Sequence, residues 1–191
     1  MRLLTRARQN ATTRSLQDRL VWQSASLLLA YPDERQAQRL DTVDRLLAHA
    51  GGHAAELLGQ TVAALRASDP LRAAVDYVET FDLRRRTTMY LTYWTAGDTR
   101  NRGSEMHAFA AVYRAAGVEP PSRESPDHLP VVLEFAATVD PEAGRRLLTQ
   151  HRVPIDILRE ALTEALDIVE SKRDAEAPGI DQPGAASSEE R

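Results

Sequence analysis

The apolar residues of this chain return at spacings of three and four, and no window sustains the strict alternation of a half-buried strand. That pattern excludes most sheet architectures. Residue choice agrees: alanine and leucine supply 52 of the 191 residues, valine and isoleucine only 16. The first pair loses little freedom on entering a helix, whereas β-branched side chains favour strands. The expectation is an all-α fold, a single compact irregular bundle of about eight or nine helices joined by short loops. Heptads are not sustained, so a coiled coil is not expected.

Punctuation residues set the expected helix boundaries. Ser15 is a candidate cap for a first helix to Tyr31, with Leu16, Leu20, Leu27, Leu28 and Tyr31 on one face. Pro32 ends it, and Asp33 caps a second helix that buries Leu40, Val43 and Leu47 before Gly51-Gly52. A third helix covers 53–67. Asp69-Pro70 and Asp140-Pro141 each place a capping carboxylate before a proline at the first helical position. The first opens a helix through Tyr77 and Phe81, the second a short helix to Gln150. Arg84-Arg85-Arg86 interrupts the apolar pattern, and a helix through Met89, Leu91 and Trp94 follows. Ser104 caps a helix that buries Met106, Phe109 and Tyr113 and stops at Gly117. Pro120, Pro121 and Pro126 make 118–126 a rigid extended loop. Asp127 then caps a helix with Leu129, Val132, Leu133 and Ala136 on one face, and 154–172 form the last helix.

Three segments result. Residues 1–14 carry four arginines and no acid, show no periodic apolar face, and are expected to be disordered. Residues 15–172 form the helical domain. The acidic tail, 173–191, combines Pro, Gly, Ser and acids without aromatics and is expected to be disordered.

Composition removes whole classes of chemistry. Cysteine is absent, so disulfides, thiol nucleophiles, thiolate zinc sites and iron–sulfur ligation are excluded. Leu27 to Tyr31 is an apolar run of only five residues and no run approaches eighteen, so no spanning helix is expected and the chain reads as soluble. A net charge of -4 disfavours nonspecific nucleic-acid binding. There is no GxSxG, no GxGxxG and no phosphate loop.

The densest group of reactive side chains is Glu124-Ser125-Pro126-Asp127-His128. Two carboxylates and an imidazole at a helix start suit acid–base work or part of a metal site, which defines one alternative: a metal-dependent hydrolase using Glu124, Asp127 and His128. Capping accounts for the same residues, with Asp127 accepting from first-turn amides and Glu124 near the positive helix end. HExxH is absent, and Gly51-Gly52 separates His49 from His53. Arg84, Arg85 and Arg86 suit a phosphate grip or a solvated face. A helical DNA-binding regulator would need a basic recognition helix, and the acidity of 15–173 opposes it. Tyr77, Phe81, Tyr90, Tyr93 and Trp94 read either as core or as a groove wall for an amphipathic helix, with Glu79 or Asp82 at its polar rim.

Taken in order, these pieces have a recognisable arrangement. Ser26-Leu27-Leu28-Leu29-Ala30-Tyr31-Pro32 is followed by Tyr77-Val78-Glu79-Thr80-Phe81-Asp82-Leu83 and Met89-Tyr90-Leu91-Thr92. Asp98-Thr99-Arg100-Asn101-Arg102-Gly103, Tyr113-Arg114-Ala115-Ala116-Gly117 and Glu124-Ser125-Pro126-Asp127-His128-Leu129-Pro130 complete the set. The set resembles the NarJ family, the molybdenum-cofactor assembly chaperones of respiratory nitrate reductase. These belong to the redox-enzyme maturation chaperones that include TorD and DmsD. The match covers about residues 20–165. Pro126 directly before Asp127 looks like the nitrate reductase branch.

The resemblance implies a cytoplasmic, non-catalytic protein with no stably bound cofactor, since the client carries the molybdenum cofactor. The implied partner is the N-terminal peptide of the catalytic (alpha) subunit, with cofactor-delivery proteins as further partners. Neither nucleic acid nor direct membrane insertion is implied. Carried onto this chain, Tyr77, Phe81, Asp82, Tyr90, Leu129 and Leu133 are the candidate peptide-binding residues. Glu124, Pro126, Asp127 and His128 form the family's loop motif. A chaperone for another molybdoenzyme of the same superfamily is the nearest alternative.

Overall fold

The computed structural model describes the backbone of residues 2–97 and 100–176, with side chains over 13–97 and 101–166. Among these residues there are nine α-helices and no multi-residue strand. They are α1 (Arg2–Leu28), α2 (Gln36–Leu47), α3 (His53–Ala67), α4 (Pro70–Tyr77), α5 (Leu91–Ala96), α6 (Arg100–Ala115), α7 (Leu129–Thr138), α8 (Pro141–Gln150) and α9 (Arg152–Glu176). A π-helical turn, Val78–Asp82, continues α4, and a 3₁₀ turn spans Arg85–Thr87. No helix among the described residues is long and apolar enough to cross a membrane.

The two Asp-Pro starts form as their chemistry dictates. Asp69 accepts from the amides of Leu71 and Arg72 at 3.0 and 3.1 Å. Asp140 accepts from Glu142 and Ala143 at 3.0 and 2.9 Å. The other boundaries move. Helix α1 begins at Arg2, so the backbone of 2–14 is helical rather than disordered, and Ser15 is an interior residue, not a cap. Leu16 and Tyr31, expected on the buried face, are 52% and 48% exposed. Arg35, not Asp33, occupies the α2 cap position; Asp33 sits in the preceding turn and accepts the Arg35 amide at 2.9 Å. Ser104 lies inside α6, and α9 starts at Arg152. Met89 precedes α5 in extended chain. The tail from residue 177 lies outside the described residues.

Helix α1 is the common support, packing on α7 along one side and on α2 along another. Its Trp22 and Ala25, with Leu29 just past its end, meet a larger core built on Phe109, Tyr113, Val132, Phe135 and Leu147. Its Leu27 and Leu28 meet a smaller core of Leu40, Val43 and Val62. Polar links fix the α1–α7 pair: Ser26 Oγ donates to the Pro130 carbonyl at 2.8 Å, and Arg19 Nε to the Ala137 carbonyl at 2.7 Å.

Helices α7 and α8 approach closely at Gly144. A Cβ there would lie 2.3 Å from both Cα and Cβ of Ala136. Gly144→Ala should therefore destabilise the fold by about 1–3 kcal/mol from overpacking, outweighing the ~1 kcal/mol that alanine gains in helix propensity. Denaturant midpoints check this; a midpoint at or above wild type would mean that the crossing relaxes freely.

Candidate functional site

The Glu124–His128 motif is organised by contacts far away in sequence. Around Tyr90 and His128 the chain forms an antiparallel bridge, with the Leu91 amide donating to the Asp127 carbonyl at 3.1 Å and the Leu129 amide to the Met89 carbonyl at 2.9 Å. The Asp127 side chain is wholly buried. It does not cap α7: His128 holds the cap position, without a side-chain bond. Asp127 Oδ2 instead accepts from the amide and hydroxyl of Thr92, at 3.1 and 2.6 Å, and Oδ1 accepts from Ser125 Oγ. Tyr113 donates its hydroxyl to the Pro126 carbonyl at 2.6 Å. Burial, with Asp127 nearby, pushes the Tyr113 phenol far above its ordinary range, so it remains a donor. Protein donors thus occupy the carboxylate that a hydrolase would need, and no cluster among the described residues is suited to hold a metal ion.

His128 stacks on Tyr90 with ring centroids 4.9 Å apart, and the Arg102 guanidinium lies 5.4 Å from the Tyr90 centroid. Its Nδ1 is 3.2 Å from Glu124 Oε2, in a geometry that makes no hydrogen bond. Burial lowers the His128 pKa below the ordinary imidazole value, against the opposing pull of Glu124, Asp127 and Asp82. Burial thus favours the neutral ring.

Tyr77 and Phe81 stand together on α4 and its π-helical continuation, with centroids 4.9 Å apart. Leu83 N–H donates to the Val78 carbonyl at 3.0 Å, the wide turn of a π-helix. The buried Thr87 hydroxyl takes up the Thr80 carbonyl at the end of this turn. Tyr77 donates to the Leu29 carbonyl at 3.1 Å and meets Tyr31 edge to face at 5.4 Å. Burial, then the charges of Asp82 and Glu124, push the Tyr77 phenol up to about 12.

One or both of these rings line each of three concavities. The largest, about 410 Å³, is an apolar groove between the end of α1, α2, α3 and α4, walled by Leu28, Leu40, Leu58, Leu65, Tyr77 and Phe81. The second, about 280 Å³, shares Tyr77 and Leu29 with the groove and includes Glu124 and His128. The third, about 300 Å³, lies beyond Phe81 and includes Asp82, Arg84, Arg85, Tyr90 and Tyr93.

The six candidate peptide residues are therefore not one surface. Tyr77 and Phe81 line the groove, while the exposed Asp82 and half-buried Tyr90 line the third concavity. Leu129 and Leu133 belong to the larger core, 7% and 8% exposed, and α7 packs on α1 and α8. Arg84, Arg85 and Arg86 are exposed, and Arg86 pairs with Glu164 at 2.8 Å. Sequence reasoning missed Thr92, which bonds Asp127, and Arg102, which lies over Tyr90. Thr92 lies 35 residues from Asp127, so no local spacing marks it.

Two expectations follow. Thr92→Val leaves the buried Asp127 carboxylate short of a donor and should cost about 1–3 kcal/mol, checked by urea unfolding; a loss under about 0.5 kcal/mol would contradict the role of Asp127 as a clamp between segments. The His128 ring should titrate below the ordinary imidazole value by NMR. Its depressed folded pKa makes its contribution to stability complete above about pH 6.5 and lost as the pH falls through the folded value. A midpoint at or above the ordinary value would contradict a buried neutral ring.

Comparison with known proteins places this geometry in context. The pattern of the nitrate reductase delta subunit family matches residues 44–167. The nitrate reductase-like protein NarX of Mycobacterium tuberculosis is 67% identical over 146 residues, which are 76% of this chain and 22% of that protein. The chain thus spans less than a quarter of that relative. The probable nitrate reductase molybdenum cofactor assembly chaperone NarJ of Bacillus subtilis is 33% identical over 69% of this chain and 72% of its own length. NarJ of Escherichia coli is 36% identical over 59% of this chain and 49% of its own length. A crystal structure from Archaeoglobus fulgidus assigned as a redox enzyme maturation protein superposes with a TM-score of 0.51 at 23% identity, covering 76% of this chain and 90% of that one, a likeness of fold.

Proposed function

The chain belongs to the nitrate reductase delta subunit family, and from that premise we propose that it is a molybdenum-cofactor assembly chaperone for a nitrate reductase. Its client is the apo catalytic subunit, which it grips by the N-terminal segment in the cytoplasm. Cofactor insertion and complex assembly proceed while the grip delays membrane docking. The protein does no chemistry of its own and keeps no cofactor. The observation that carries this reading is the apolar groove walled by Tyr77 and Phe81, in a chain whose family members in Bacillus subtilis and Escherichia coli are named for this task.

The groove's chemistry selects its ligand. An amphipathic peptide that folds into a helix on binding presents apolar side chains at i, i+3 and i+4, which suits an aliphatic trough closed by two aromatic rings. Exposed ion pairs at the rim contribute only about 0–1 kcal/mol each, so apolar contact supplies most of the affinity. The 67% identity to part of a longer nitrate reductase-like protein favours a second client arrangement, in which the domain serves enzyme segments of one polypeptide.

Calorimetric titration with a synthetic peptide of the first thirty or so residues of the catalytic subunit from the same organism tests the reading, with a trimethylamine-oxide reductase signal peptide as control. Selective micromolar binding is expected. Phe81→Ala should weaken it more than about tenfold and Asp82→Asn less than about threefold. Because Phe81 also touches the core, Thr61→Arg at the exposed groove rim provides a second block that leaves the core intact. Equal losses from Phe81→Ala and Asp82→Asn, or tight binding by Thr61→Arg, would sink the apolar-groove reading.

A further inference from the structure

The groove's two aromatic walls stand on different kinds of helix. Tyr77 ends the α-helical part of α4, whereas Phe81 sits inside the widened turn Val78–Asp82. A turn closed five residues back is rare, occurs mostly as a single inserted turn, and is frequent at functional sites. Phe81 lines both the apolar groove and the third concavity, so its direction shapes each. An α-helical turn would wind residues 77 to 81 through a different angle, and Phe81 would then leave its present place beside Tyr77.

The widened turn is secured from outside the helix. It ends at Asp82, and no backbone amide among the described residues donates to the Thr80 carbonyl. The Thr87 hydroxyl donates to it instead. The Arg84 carbonyl, which that hydroxyl also reaches at 3.1 Å, already accepts the Thr87 amide at 3.1 Å, so the hydroxyl is available to Thr80. Thr87 is 2% exposed. The 3₁₀ turn that carries it packs on α9 and is joined to it by Arg86 and Glu164 at 2.8 Å. Thr80 lines the groove, whereas Thr87 lines neither the groove nor the third concavity. The bond therefore runs from the groove wall to a buried residue outside it.

We propose that Thr87 is a positioning residue for peptide binding: its hydroxyl holds the Thr80 carbonyl, keeps Val78–Asp82 in the widened turn, and thereby places Phe81 for the apolar side chains of the peptide. The inference rests on the peptide-chaperone reading above and deepens it. Without the hydroxyl, the Thr80 carbonyl lacks a donor. The turn regains one by tightening to the α register, in which the amide of residue 84 reaches that carbonyl. Phe81 turns with it. A buried, uncharged group that no peptide touches thus sets the shape that the groove offers.

The test uses the full chain and the catalytic-subunit peptide described above. Thr87→Val keeps the side-chain shape and removes the hydroxyl, whereas Thr87→Ser keeps the hydroxyl. Thr87→Val should weaken peptide binding about fivefold, and Thr87→Ser should stay within about twofold of wild type. In a Phe81→Ala background, Thr87→Val should weaken binding by less than about twofold more, because the residue acts through that ring. A merely structural role gives the same loss in both backgrounds, and that result overturns the proposal. Wild-type binding by Thr87→Val, or binding by Thr87→Ser as weak as that of Thr87→Val, overturns it too. Should Thr87→Val fail to fold, deletion of the exposed Glu79 removes the extra residue of the widened turn directly. The deletion variant should bind at least about fivefold more weakly, and wild-type binding by it overturns the proposal. Failure of the peptide to bind the wild type removes the chaperone reading itself and the positioning role with it, whereas the other failures leave that reading standing.

Discussion

A buried carboxylate governs the arrangement of this molecule's candidate site. Asp127 has no solvent contact, and an ionised carboxylate taken out of water costs several kcal/mol unless donors replace the water. Thr92 supplies two and Ser125 a third. Arg102 extends the network with an Nε–H to Thr92 Oγ1 at 3.3 Å. Because these donors come from the start of α5 and from the loop before α7, the carboxylate is satisfied only when those two segments lie side by side. The Tyr90–His128 bridge and ring stack follow from that alignment. The three prolines of the preceding loop do not make a free hinge at its end, since Tyr113 holds the Pro126 carbonyl.

The groove depends on a different device, the widened turn after α4. A π-helical turn leaves carbonyls that the next residues do not reach, and here the Thr87 hydroxyl takes the Thr80 carbonyl from the 3₁₀ turn beyond. Thr87 is nearly fully buried, so the geometry of Phe81 is tied to the core rather than to solvent-exposed chain. Tyr77, on the α-helical side of the junction, is tied to α1 through Leu29. The two aromatic walls are thus held by hydrogen bonds to separate elements, and the aliphatic floor comes from α1, α2 and α3.

Much of the helical framework was legible in sequence because its signals are local. Asp69-Pro70 and Asp140-Pro141 marked helix starts through short-range capping, and the apolar spacing of Leu40, Val43, Phe109, Val132 and Leu158 marked core faces. The site was legible in residue identity but not in arrangement. Asp127 looked like a cap because it precedes an apolar helical run, yet its partner is 35 residues upstream. Periodicity placed Leu129 and Leu133 on the apolar face of α7, but it does not say whether such a face meets a groove or a core. Packing against α1 and α8 decided that. Similarly, 2–14 lack an apolar stripe, and the backbone is helical there as an N-terminal extension of a longer helix.

The division of the interior into two apolar clusters gives the groove its place. A groove cut into the larger cluster would expose Phe109, Tyr113 and Phe135, which pack with residues of α5, α8 and α9 and with Trp22 of α1. The smaller cluster of Leu40, Val43 and Val62 leaves aliphatic surface beside it that α2 and α3 alone do not cover. Covering about 100 Å² of such surface contributes on the order of 2.5 kcal/mol before ordering costs. Several side chains must therefore enter together for micromolar affinity. A single apolar anchor does not meet that requirement, whereas one face of a helix with successive turns in contact does.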